Sequence, residues 1–108
     1  MPPGGEDRAR AFYTGVLGMT EVPKPPVLAG RGGAWFGAGA AQLHLGVEHD
    51  FRPARKAHPA LRVSGLAEML DGCRAAGFDT SPGERLDGRE RAYVHDPFGN
   101  RIELIESA

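Results

Sequence analysis

His44, His58 and Glu103 have the side-chain types to hold a divalent cation, and each lies in or beside a stretch that alternates every two residues. In QLHLGVE, Gln42 and His44 alternate with Leu43, Leu45 and Val47, the pattern of a strand with one apolar and one polar face. HPALRV sets His58 and Arg62 opposite Leu61 and Val63, and RIELIE sets Arg101 and Glu103 opposite Ile102 and Leu104. If these polar faces converge, two neutral imidazoles and a carboxylate form a donor set for zinc, nickel, manganese or ferrous iron, with positions left for substrate. The alternative is a solvated face on which Glu103 only offsets Arg101 or Arg62. Periodicity alone leaves both open. Arg91 and Tyr93 alternate with Ala92 and Val94 and are expected, with Arg62, to line the wall facing a substrate. Arg52, Arg55 and Lys56, just before His58, read as an anion clamp or as a charged surface loop. His49 and His95 fall at strand or turn ends and read as solvated, and Trp35 reads as core or dimer packing.

These side chains need elements to hold them. Ala9, Phe12, Tyr13, Val16 and Leu17 recur at helical spacing and Gly18 follows as the stop, since glycine takes the left-handed conformation at little cost. Leu66, Met69, Leu70 and Cys73 repeat the stripe, with Ser64 as the expected N-cap and Gly77 as the stop. Cys73 therefore reads as core. Strands are expected over 19–22 and 78–80, in AWFG and AQLHLGV as a hairpin across 37–39, in ALRV, and in RERAYVH and RIELIE joined by DPFGN. PKPPVLAGRGG reads as a Pro-rich loop. The two halves look like a repeat: Gly77 − Gly18 is 59, and Glu103 − His44 is also 59. The second half has an extra strand in front. By symmetry its counterpart is expected just before Met1, so that the chain begins one strand late.

Composition narrows the functional classes. The 108 residues, 41% hydrophobic and 25% charged, suit one globular domain. A net charge of −1 gives no electrostatic case for nucleic acid or an anionic membrane. A single cysteine excludes a disulfide framework and a cysteine-built zinc site. No apolar run nears the roughly 18 residues that a membrane span needs, and nothing resembles a signal peptide, so the cytoplasm is the expected location. GRGG at 30–33 lacks the strand-to-helix setting of a phosphate loop.

ARAFYTGVLGM, HPALRVSGLAEML and YVHDPFGNRIELIE together resemble the vicinal oxygen chelate superfamily, which includes glyoxalase I, bleomycin- and fosfomycin-resistance proteins and extradiol dioxygenases. The resemblance covers nearly the whole chain. It implies an α+β fold of paired βαβββ modules forming an open, barrel-like cleft, with module one at 1–49, a connection at 50–56 and module two at 57–108. It also implies metal ligands on the first and last strands of each module: His58 and Glu103 in module two, and His44 in module one. The fourth place belongs to a first strand that this sequence does not contain, which would remove one protein ligand and leave a sheet edge open. The implied activity is that of a glyoxalase-like, metal-dependent enzyme. In such an enzyme a divalent ion chelates oxygens of a small substrate and stabilises an oxyanion, while Glu103 serves as ligand and as the carboxylate that moves a proton. One alternative is a non-catalytic protein that sequesters an antibiotic or metabolite without metal. Another is an extradiol-type dioxygenase, for which the chain is short. The expected partners are a small-molecule ligand and a second copy in a homodimer, with neither nucleic acid nor membrane.

Overall fold

An amphipathic helix followed by an antiparallel meander occurs twice in the computed structural model, which describes residues 1–107. The chain divides into two units, Met1–Arg52 and a second beginning at Pro53.

In the first unit the order is α1 (Glu6–Tyr13), β1 (Thr20–Val22), α2 (Pro26–Ala29), β2 (Ala34–Ala38) and β3 (Ala41–Leu45). The stripe on α1 does what its spacing predicts: Ala9, Phe12 and Tyr13 are fully buried. Tyr13 stacks on Phe36 of β2 at 5.2 Å between ring centroids, and Phe12 meets Tyr13 edge-on at 4.9 Å, an arrangement that aromatic quadrupoles favour. The regular helix stops at Tyr13, earlier than the pattern suggests. The Gly15 N–H reaches back to the Arg10 carbonyl, and the Val16 and Leu17 N–H groups share that of Phe12. A Cβ on Gly15 would stand 2.3 Å from the Ala11 carbonyl oxygen, so only glycine fits this irregular turn. Gly18, at φ +74, closes it as expected. The Pro-rich segment holds a helical turn that composition hid, since Pro26 starts α2 where its missing N–H costs nothing.

The strands of this unit pair antiparallel in the order β1-β2-β3. Among the described residues β3 is an edge strand. Past its end, the Met1 ammonium donates to the Gly46 carbonyl at 2.8 Å, and the Glu48 N–H donates to the Met1 carbonyl at 2.9 Å.

The second unit runs β4 (Ala60–Val63), α3 (Leu66–Ala75), β5 (Thr80–Pro82), β6 (Arg91–His95) and β7 (Arg101–Glu106). Its sheet has the order β4-β7-β6-β5, with β4 parallel to β7 and the other pairs antiparallel. Leu66, Cys73, Ala92, Val94, Ile102 and Leu104 are buried, so α3 and one sheet face make the core and Cys73 belongs to it. Gly77, at φ +89, ends α3, and β5 starts two residues later than expected. Ser64 is not the cap. Gly65 adopts φ +77 and the Glu106 carboxylate accepts from the Gly65 and Leu66 N–H groups at 3.0 and 3.1 Å, while Ser64 pairs with Ser107. A carboxylate at a helix N-terminus also meets the positive end of the dipole.

DPFGN joins β6 to β7 through the buried Asp96. One carboxylate oxygen accepts from the Phe98 and Asn100 N–H groups, and the other accepts from the Asn100 side-chain amide. That turn sets the β6–β7 register and hence which side chains share a face. Among the described residues no helix is long and apolar enough to cross a membrane.

Candidate functional site

Register turns the second unit's sheet into a lattice of named side chains. Glu103 on β7 lies between Ala60 of β4 and Tyr93 of β6; Ile105 lies between Arg62 and Arg91; Arg101 lies opposite His95. Neighbouring strands put directly paired residues on the same face, so Arg62, Arg91, Tyr93, His95, Arg101 and Glu103 all face away from α3. His58 lies just before β4, where the Glu103 N–H donating to the Pro59 carbonyl continues the pairing.

Glu103 is the hub. Its Oε1 is 2.9 Å from His58 Nε2, and its Oε2 is 3.1 Å from Arg91 Nη1. Arg91 also donates to the Tyr93 hydroxyl at 2.7 Å and, through Nε, to the Glu84 carbonyl. Tyr93 stands edge-on to the His58 ring at 5.6 Å, and the Arg101 guanidinium carbon lies 3.8 Å from the Tyr93 centroid. The His58 contact, and secondarily that of Arg91, holds the Glu103 carboxyl below the usual carboxylate range although partial burial opposes this. An ionised, doubly engaged carboxylate suits a ligand or an electrostatic role better than a proton acceptor.

The other nitrogen of His58 sharpens the chemistry. Nδ1 is 2.6 Å from the Lys56 carbonyl, which can only accept, so Nδ1 carries a proton. Nε2 faces a carboxylate, which also only accepts. A positive charge therefore belongs between Nε2 and Oε1, and either a second ring proton or a metal ion meets that need. A ring N–H donated to a backbone carbonyl is also the usual device for presenting the opposite nitrogen to a metal. His58 and Glu103 thus fit a divalent ion as two of its ligands. Among the described residues no group of three or more His, Cys, Asp or Glu side chains is placed to hold one.

The remaining sequence-derived candidates separate. Arg62 shares the face but is exposed, and His95 is exposed as expected. His44 belongs to the first unit, where Trp35 lies directly opposite it on β2. The two rings stack at 3.6 Å with an interplanar angle of 1°, and His44 Nε2 bonds the Gln42 side-chain oxygen at 3.0 Å. Trp35 is half-buried on that polar face and is not part of the core. Sequence reasoning offered Arg101 only as a charge for Glu103 to offset; its guanidinium instead lies on the Tyr93 ring, and Glu103 pairs with Arg91.

The fold and the site together define a class: a mixed α+β protein with two sheets, one of which carries a His–Glu–Arg cluster on its polar face. Residues 5–104 match the model of the Glyoxalase/Bleomycin resistance protein/Dioxygenase superfamily, and the chain belongs to that superfamily. A protein from Bacillus anthracis described as a glyoxalase family member has 44% identity and a TM-score of 0.92, over 100% of this chain and 88% of its own. Lactoylglutathione lyase from Agrobacterium tumefaciens has 25% identity and a TM-score of 0.68, over 94% of this chain and 84% of its own. The fosfomycin resistance protein FosX from Listeria monocytogenes, at 14% identity and TM-score 0.73 over 94% of this chain and 84% of its own, shares the fold. No curated protein matches.

Proposed function

We propose that this protein is a glyoxalase-like, metal-dependent enzyme acting on a small oxygen-bearing substrate, with His58 and Glu103 as protein ligands of a divalent cation. The observation that carries this reading is the imidazole held between two acceptors, Lys56 O at 2.6 Å and Glu103 Oε1 at 2.9 Å. A divalent ion held there would supply Lewis acidity to substrate oxygens. The protein's own groups do the rest. Lys56 orients the imidazole, Arg91 fixes the second oxygen of Glu103, and Tyr93 forms a wall beside the reacting atoms. Arg62 extends that wall. Superfamily membership and the likeness to lactoylglutathione lyase support the assignment. A homodimer in the cytoplasm is the setting we propose.

Elemental analysis of protein purified without chelator tests it. Bound divalent metal should approach one ion per chain and vanish in the His58→Ala, Glu103→Ala double variant. Full metal content in that variant would end the assignment. A second reading, a metal-free binding protein that sequesters its ligand, is favoured by the Glu103–Arg91 ion pair, which occupies the carboxylate without any metal. It predicts ligand binding that survives EDTA.

A further inference from the structure

The polar face of the second sheet holds more positive charge than its own carboxylate balances. Arg62, Arg91 and Arg101 stand around Glu103, three cations to one carboxylate before any charge on the histidines is counted. Arg91 is committed to Glu103, Tyr93 and Glu84. Arg62 is exposed and has no interacting group among the described residues. Arg101 differs from both. It is half-buried and lies over the Tyr93 ring at 3.8 Å, yet makes no hydrogen bond or ion pair among the described residues.

A guanidinium on an aromatic face is held by cation–π attraction, which leaves its five N–H donors unspent. Those donors match the paired oxygens of a carboxylate, phosphate or phosphonate. Tyr93 therefore does for Arg101 what a counter-ion would do, fixing the cation without neutralising it. Such preorganisation lowers the ordering cost when a ligand arrives. Arg101 is also two residues from Glu103 on the same strand face, so an anion bound to it lies beside the cluster.

We propose that Arg101, held on Tyr93, is the anchor for an anionic oxygen group of the ligand, which makes this a site for small oxyanionic molecules. The proposal rests on reading this face as the ligand site, but it does not need the metal.

Inorganic phosphate is the probe, titrated by calorimetry into chelator-treated protein, with metal content measured separately on untreated protein. Wild type should bind phosphate, and Arg101→Gln should weaken binding by about tenfold or more, the loss expected for a charge-assisted pair. Arg101→Lys, which keeps the charge but not the planar fork, should fall between them and guards against a folding artefact. Arg62→Gln should weaken binding by much less. Metal content should be unchanged by Arg101→Gln. No phosphate binding in the chelated wild type, equal binding in Arg101→Gln, or an equal loss in Arg62→Gln would each overturn the proposal. Phosphate binding through Arg101 in a protein that carries no metal would uphold it while removing the metalloenzyme reading.

Discussion

Both units place a polar residue in the middle of a last strand and an aromatic directly across the hairpin. In the first unit the pair is His44 and Trp35; in the second it is Glu103 and Tyr93. The outcomes differ because the sheets differ. β7 has β4 along its outer edge, and the chain entering β4 brings His58 to Glu103. β3 is an edge strand among the described residues, and His44 is left with Trp35 and Gln42. A polar face becomes a cluster when a further strand delivers a second donor at the right register. Sharing a face is not sufficient.

The largest expected effects break the joints on which each hairpin depends. In the first unit, Gly33 has φ +85 and a Cβ there would stand 2.1 Å from the Leu45 carbonyl oxygen. Gly33→Ala forces both a left-handed backbone and a backbone clash, so it should cost more than about 2 kcal/mol in thermal or denaturant unfolding. In the second unit the joint is a buried carboxylate with three donors. Asp96→Ala should cost about 2–3 kcal/mol, and Asp96→Asn less, since an amide keeps one acceptor. A Gly33→Ala protein as stable as wild type would show that the first hairpin is not pinned where we place it.

A smaller effect tests the contrast between the clusters. The Glu103 carboxyl is held below its ordinary value of 4.5 first by His58 and then by Arg91. A lowered folded-state pKa gives stability that is complete above the ordinary value and is lost as pH falls through the lowered one. His58→Ala should move the Glu103 titration back toward the ordinary value without abolishing the shift, because Arg91 remains. Its acid-side stability loss should then be smaller and reach completion at higher pH. His44→Ala should leave that titration unchanged. Carboxyl-carbon NMR of Glu103 across the acid range reads both variants, and an equal displacement by His44→Ala would dissolve the distinction between the units.

How much of this was legible in the sequence follows from the range of each interaction. Parity within a strand is local, so the faces of Arg91, Tyr93, Arg101 and Glu103 could be read from alternation. The offset of 59 marked His44 and Glu103 as counterparts. Neither signal contains the parallel β4–β7 register, and that register determines that His58 meets Glu103. The α3 cap shows the same limit: Ser64 is the local candidate, but the acceptor is Glu106, 40 residues from the Leu66 it caps. Arg101 was visible as a charge on the right face, yet its lack of an ion pair is a fact of three dimensions. The helical turn at Pro26 was hidden because proline content reads as loop, although proline at a helix start follows from its missing donor.

The smallest effect lies at the first unit's own pair. Trp35 is the only tryptophan in the chain, so its emission reports on His44 without ambiguity. His44 is exposed and its hydrogen bond to Gln42 is a surface one, so His44→Ala should change stability by no more than about 0.5–1 kcal/mol, the range of an aromatic pair. The emission should nonetheless change in intensity and wavelength, because the ring stacked at 3.6 Å is replaced by water. His58→Ala should leave Trp35 emission as it is. If His44→Ala instead destabilised the fold by several kcal/mol, the imidazole would be a structural element of its unit, and the counterpart relation to Glu103 would reflect the repeat's architecture alone.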